Sequence, residues 1–271
     1  VRSTGWKSSG QNKKNTSFDG DCLVRVFVLA LIILLFTGCA SDGNGLPPER
    51  ALASAKIHTE LAASYFERKQ YSIALQEIEV ALKAKSNFAP AFNVRGLIHL
   101  TLREDQLAEE DFRYGLKLDN TDSITHNNFG WFLCQRGREA EAIPQFLEAV
   151  KNPLYSTPEA AYVNAGVCSN KMGKFADAEE YFQRALVRVP NLLEALFGLA
   201  EMSLAKHDFA GAKAYFLRFS QRAPELTAEN LWLAVRIERK VGDRNSERSY
   251  ALQLQKRFPD SRETQLLLHG E

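Results

Sequence analysis

Four cysteines and five histidines are the residues of this 271-residue chain with the widest range of chemistry open to them. A thiolate attacks carbonyl carbon, binds zinc or pairs with a second sulfur. Cys22, Cys39, Cys134 and Cys168 contain no CxxC pair, and His58, His99, His126, His207 and His269 are scattered rather than set at zinc-ligand spacing. No Ser stands in a GxSxG elbow, and the sixteen glycines never gather into a phosphate loop. Glu109, Glu110 and Asp111 form a short acidic run that reads as a solvated face. Nothing here assembles a catalytic constellation, a metal site or a cofactor site, so an enzyme with a small-molecule substrate is not expected. The formal net charge is +1, and residues 1–38 hold five basic against two acidic groups. Without them 29 basic face 31 acidic residues, a balance that gives no basic stripe for nucleic acid. Arg236, Arg239 and Lys240, and the pair Lys256 and Arg257, are small basic clusters that read as solvated helix faces.

What must position any functional residue is a repeat of about 34 residues. Gly96, Gly130 and Gly166 share one frame: Phe92, His126 and Tyr162 stand four residues before them, and Ala108, Ala142 and Ala178 twelve after. Phe112, Phe146 and Phe182 follow four further on, then Gly115, Ala149 and Ala185. This is the tetratricopeptide signature, a helix–turn–helix unit. Six units can be written, at 55–88, 89–122, 123–156, 159–192, 193–226 and 227–260, with residues 261–271 left as a tail. The fold class expected is all-α, a right-handed superhelical solenoid of six helix pairs. The small residue at the eighth place lets the first helix approach the second, and the aromatic at the twenty-fourth fills the space between repeats. Pro190, Pro224 and Pro259 stop second helices. Pro144 is expected near the first turn of its helix, where proline is tolerated. Asn152-Pro153 and Thr157-Pro158 mark a two-residue insertion between the third and fourth units.

The N-terminal segment reads as an address. Residues 1–25 are polar, Arg25 precedes eleven apolar residues at 26–36, and Thr37-Gly38-Cys39 follows. Such a run is short for a bilayer span and right for a signal-peptide core. A hydrophobic run ending in small residues and then Cys resembles the bacterial lipobox, although Phe36 departs from its usual small or aliphatic residue. The resemblance implies removal of residues 1–38, lipidation of Cys39 and a flexible lipidated linker over 39–54. Ala40 rather than Asp after that cysteine implies sorting to the outer membrane of a Gram-negative bacterium, facing the periplasm.

Cys134 and Cys168 lie 34 residues apart on the first helices of neighbouring units. Neighbouring axes are about 8–10 Å apart, so facing Cα atoms fall within bridging range. A disulfide is expected in an oxidising compartment; two unpaired, partly buried thiols are the alternative. His58, His99 and His126 occupy places usually held by aromatic rings and are expected to pack. In this fold the first helices line a concave groove. Its apolar floor is expected from Phe66, Leu97, Leu100, Trp131, Val163 and Val167, and Asn93, Asn127, Asn128 and Asn164 add amides. Such a surface suits an extended peptide, with side chains in apolar recesses and its backbone bonded by the amides.

The stretch His126-Asn127-Asn128-Phe129-Gly130-Trp131-Phe132-Leu133-Cys134, with Gly137 and Ala142-Ile143-Pro144-Gln145-Phe146, is more specific than a generic repeat. Together with Val163-Asn164-Ala165-Gly166-Val167-Cys168 it resembles the type IV pilus biogenesis and stability lipoproteins. The resemblance runs from Cys39 to about Pro259 and implies a pilotin. Such proteins bind the secretin subunit, bring it to the outer membrane through their lipid anchor and promote its multimerisation. The alternative is a general periplasmic scaffold for envelope or outer-membrane protein assembly.

Overall fold

The computed structural model describes residues 46–270, which form thirteen helices and no strand. The expected signal peptide, the lipidation site Cys39 and the first part of the linker lie outside the described residues. Helices α1 (Pro48–Glu67) and α2 (Tyr71–Ala84) make the first pair, α3 (Ala89–Thr101) and α4 (Asp105–Leu118) the second, α5 (Ser123–Gln135) and α6 (Glu139–Ala149) the third. The fourth pair is α7 (Pro158–Lys171) and α8 (Phe175–Arg188), the fifth α9 (Leu193–Ala205) and α10 (Phe209–Ser220), the sixth α11 (Ala228–Val241) and α12 (Arg244–Arg257). A thirteenth helix, α13 (Arg262–His269), follows. The chain is an all-α solenoid of helix pairs.

Each turn inside a pair is made the same way. A left-handed residue ends the first helix: Lys69, Arg103, Gly137, Gly173, His207 or Gly242. The N–H after it donates to the carbonyl five residues back, as from Gln70 to Tyr65, Arg138 to Leu133 and Asp208 to Ser203. That bond satisfies a carbonyl the helix end leaves orphaned. Polar caps strengthen several starts: Asp122 accepts from Ile124 and Thr125, Asp243 from Ser246, and Thr227 and Asn230 close a capping box.

Small residues then set the packing. An added Cβ at Gly96, Gly130 or Gly166 would come within 2.9, 2.7 and 2.7 Å of Phe112, Phe146 and Phe182 in the same pair. Those rings are almost wholly buried. Each first helix touches its own second helix, each second helix touches the next first helix, and α1, α3, α5, α7 and α9 touch in succession. Second helices make no comparable contact with one another, so the first helices form the tighter, inner row.

Three features differ from the sequence reading. The linker expected over 39–54 ends early, because Pro48 at the helix start pre-sets a helical φ and α1 runs from there. The tail expected at 261–271 holds α13, started by Ser261, whose hydroxyl accepts from the Thr264 N–H. It packs on α11 and α12, and buried Thr264 donates to the Phe258 carbonyl at 2.7 Å. Pro144 is not in a first turn: α6 begins at Glu139, directly after the Gly137 turn, so the proline falls in the second turn.

Candidate protein-binding groove

The inner row of first helices carries the groove residues, and the structure sorts them into three neighbourhoods. Leu97, Leu100 and Trp131 are partly buried and pack on one core cluster, around Phe112, Phe132 and Phe146. Val167 packs on the next cluster, around Phe182, and Val163 belongs to it. Phe66 stands apart on the first pair, with its ring 5.9 Å from that of Tyr71. Val163 and Asn93 are buried, so they support the groove more than they face into it. Val163 and Asn164 also line a cleft of about 310 Å³ with Thr157, Glu159, Leu192 and Glu194.

The amides are engaged with each other, where the sequence reading had them free for a peptide. Asn128 Nδ2 donates to Asn93 Oδ1 at 3.0 Å, and Asn164 Nδ2 donates to Asn127 Oδ1 at 3.0 Å. Each rung joins the fifth place of one pair to the sixth place of the next, so the amides tie α3 to α5 and α5 to α7. An amide has two N–H donors and an oxygen with two lone pairs, so each rung leaves further capacity. Beside this ladder the Cys134 and Cys168 sulfurs are joined as a disulfide, with the Cα atoms 5.9 Å apart and both residues buried. The bridge also links α5 to α7.

Other polar residues bind differently from the reading of the sequence. His58 Nδ1 lies 2.6 Å from Glu77 Oε2, His99 Nδ1 lies 2.5 Å from Glu104 Oε2, and buried His126 contacts Gln145 and the Asn120 carbonyl. His58 and His126 sit at the same place of their units and reach the same place on the second helix, so they are polar ties between helices rather than packed rings. Asp111 is buried and takes two bonds from Arg95, at 2.9 and 2.6 Å, instead of standing solvated. Glu109 is held below the usual carboxylate range chiefly by its bond from Arg138, aided by Arg113.

Two groove residues escaped sequence reasoning. Glu201 occupies on α9 the place held by Leu97, Trp131 and Val167 on earlier first helices. Burial raises its pKa, Glu229 raises it further, and Arg236 opposes both. Asn170, one turn along α7 from Val167, has a buried side-chain oxygen without a donor among the described residues. Repeat position flags both, since Glu201 stands at the ninth and Asn170 at the twelfth place of its unit. Among the described residues no group of three or more His, Cys, Asp or Glu is placed to hold a metal ion, and no helix is long and apolar enough to cross a membrane.

Comparisons with known proteins agree with this architecture. A tetratricopeptide repeat model matches residues 171–226. The type IV pilus assembly protein PilF of Pseudomonas aeruginosa is 29% identical over 245 residues, covering 89% of this chain and 97% of PilF. The crystal structure of PilW, described as a widely conserved type IV pilus biogenesis factor, superposes with a TM-score of 0.75 at 35% identity. That match covers 79% of this chain and 98% of PilW. The structure of Pseudomonas aeruginosa PilF gives 0.73 at 28% identity, over 81% of this chain and 98% of that one. With a helix-pair stack, an inner row of first helices and near-complete coverage of PilW at this identity, the chain belongs to the tetratricopeptide-repeat family of type IV pilus biogenesis factors that includes PilW and PilF.

Proposed function

We propose that this chain is a pilotin: a lipoprotein of the outer membrane, facing the periplasm, that binds the secretin subunit of the type IV pilus. Binding delivers the subunit to the membrane and promotes its multimerisation. The observation that carries this reading is the 35% identity over 98% of PilW, a type IV pilus biogenesis factor. Lipid at Cys39 supplies the membrane address, and several acyl chains hold a protein where one does so only marginally. The groove supplies the grip. Trp131, half-buried with Leu97 and Leu100 over one core cluster, is a rigid aromatic anchor of the kind that dominates binding energy. The bridge and the amide rungs hold α5 against its neighbours, so little ordering remains to oppose binding.

Co-purification with the secretin and recovery of secretin multimers in outer-membrane fractions test the reading. Trp131→Ala is expected to weaken capture at least tenfold while circular dichroism stays helical, about 1.4 kcal/mol or more. Glu110→Ala, on the exposed side of α4, is expected to leave capture unchanged. Normal secretin multimers and normal piliation after deletion of the gene would remove the pilotin assignment and favour a general periplasmic scaffold.

A further inference from the structure

The stack has a second concave feature, away from Trp131, where the fifth and sixth pairs meet α13. Leu204 and Ala205 at the end of α9, His207 in the turn, Phe209 at the start of α10, and Arg236, Arg239 and Lys240 on α11 line a cleft of about 480 Å³ with Gly270. Among the described residues its lining includes three permanent cations, one histidine and no carboxylate. Four described carboxylates near it in sequence are engaged elsewhere: Glu238 and Asp243 accept from Lys213, Glu247 accepts from Arg239 and Arg244, and Asp208 accepts from the Gly211 N–H. Arg236 and Lys240 are exposed and form no ion pair among the described residues, although Arg236 feels the carboxylate of Glu201. Arg239 is positioned by Glu247 at 2.9 Å and lies over the Trp232 ring.

Basic residues in a last turn complement the helix dipole, and that accounts for Arg239 and Lys240. It does not account for Arg236, one turn earlier, or for His207, which comes from another pair. His207 stands in the left-handed turn position that all six pairs share, which aims its ring from the fifth pair toward the cleft lining, where it meets Phe209 edge-on at 5.8 Å.

We propose that this cleft docks an acidic segment of a partner protein in which carboxylates alternate with aliphatic side chains. The carboxylates meet Arg236 and Lys240, with bidentate geometry available from the guanidinium. The aliphatic groups rest on Leu204 and Phe209. A planar anionic bilayer presents no side chains to fill a recessed apolar floor, so charge complementarity together with the concavity selects a peptide. This surface is distinct from the groove around Trp131 and does not depend on the identity of the partner held there.

Fluorescence anisotropy of the full chain with a labelled peptide of alternating Glu and Leu tests the proposal, with the Gln–Leu and Lys–Leu peptides as controls. The Glu peptide is expected to bind at least tenfold tighter than the Gln peptide, with affinity falling as salt rises. Arg236→Glu with Lys240→Glu is expected to abolish binding, and the milder Arg236→Gln with Lys240→Gln to weaken it at least fivefold with an unchanged thermal midpoint. Equal binding of the Gln peptide, or unchanged affinity in the Gln variant, overturns the proposal. So does loss of the Glu peptide in Trp131→Ala with retention in the charge-reversed protein, which places the probe in the groove. Co-sedimentation with vesicles containing about one-third anionic lipid, alongside failure to bind the Glu peptide, assigns the cations to a membrane surface instead.

Discussion

Glu201 shows how one side chain changes the character of a groove. The three first helices just before it put Leu, Trp and Val at this place, and α9 puts a carboxylate there with its pKa raised by burial. For an acid whose folded pKa is above its unfolded value, the folded state holds the proton more tightly. Stability is therefore greatest below the unfolded pKa and falls as pH rises through the folded one. Glu201→Gln removes the charge while keeping the shape. Its thermal midpoint is expected to exceed the parent's at pH 7 and to match it near pH 4; a midpoint equal to the parent's at both values would show that burial does not penalise this carboxylate. Asp243 has the opposite sign. The Ser246 backbone and hydroxyl, then Lys213, hold it down to about 2, so its contribution is present at neutral pH and is lost only as pH falls toward that value.

At the scale of the helix, packing and backbone chemistry make separate demands. Phe182 lies between Gly166 of its own pair and Gly198 of the next, and an added Cβ at Gly198 would press on the ring more closely still. Gly198→Ala gains helix propensity of about 1 kcal/mol, but overpacking a filled core costs about 1–3 kcal/mol. The net expected is loss of stability by denaturant titration, with the ring of Phe182 displaced. Pro144 makes the reverse case. It stands exposed in the second turn of α6, where it has no N–H for the Ala140 carbonyl. Pro144→Ala restores that bond and is expected to raise stability by roughly 1–3 kcal/mol. A lower urea midpoint for this variant would show that a bend in α6 is needed to seat the neighbouring pair.

At the scale of the molecule, stability comes from neighbours, since each pair buries its faces only against the next. The end of the described stack is closed by α13 over α11 and α12. The centre is closed by covalent and polar ties in one place: the Cys134–Cys168 bridge and two amide rungs fasten α5 to the helices on either side. Protein isolated from an oxidising compartment is expected to show no alkylatable thiol at these two positions when denatured without reductant. Reduction is expected to lower stability by about 2–4 kcal/mol. Mass spectrometry finding both cysteines alkylated before reduction would contradict the bridge.

The repeat was legible because its steric rules recur: glycine at the eighth place, an aromatic at the twenty-fourth and alanine on either side are demanded by the same close approach in each pair. From those residues alone followed the all-α class, the six pairs, and the nearness of Cys134 to Cys168. Periodicity places a residue on a face, but it does not say what stands opposite. Only the tertiary structure paired Asn93 with Asn128 and Asn127 with Asn164, buried Asp111 under Arg95, and turned His58 and His126 into polar ties. Those partners lie on other helices, at separations that a pattern read along one strand of sequence does not register. The same holds for the basic cleft. Arg236 and Lys240 read as solvated in the sequence, and they acquire a floor because the stack brings Leu204, His207 and Phe209 beneath them.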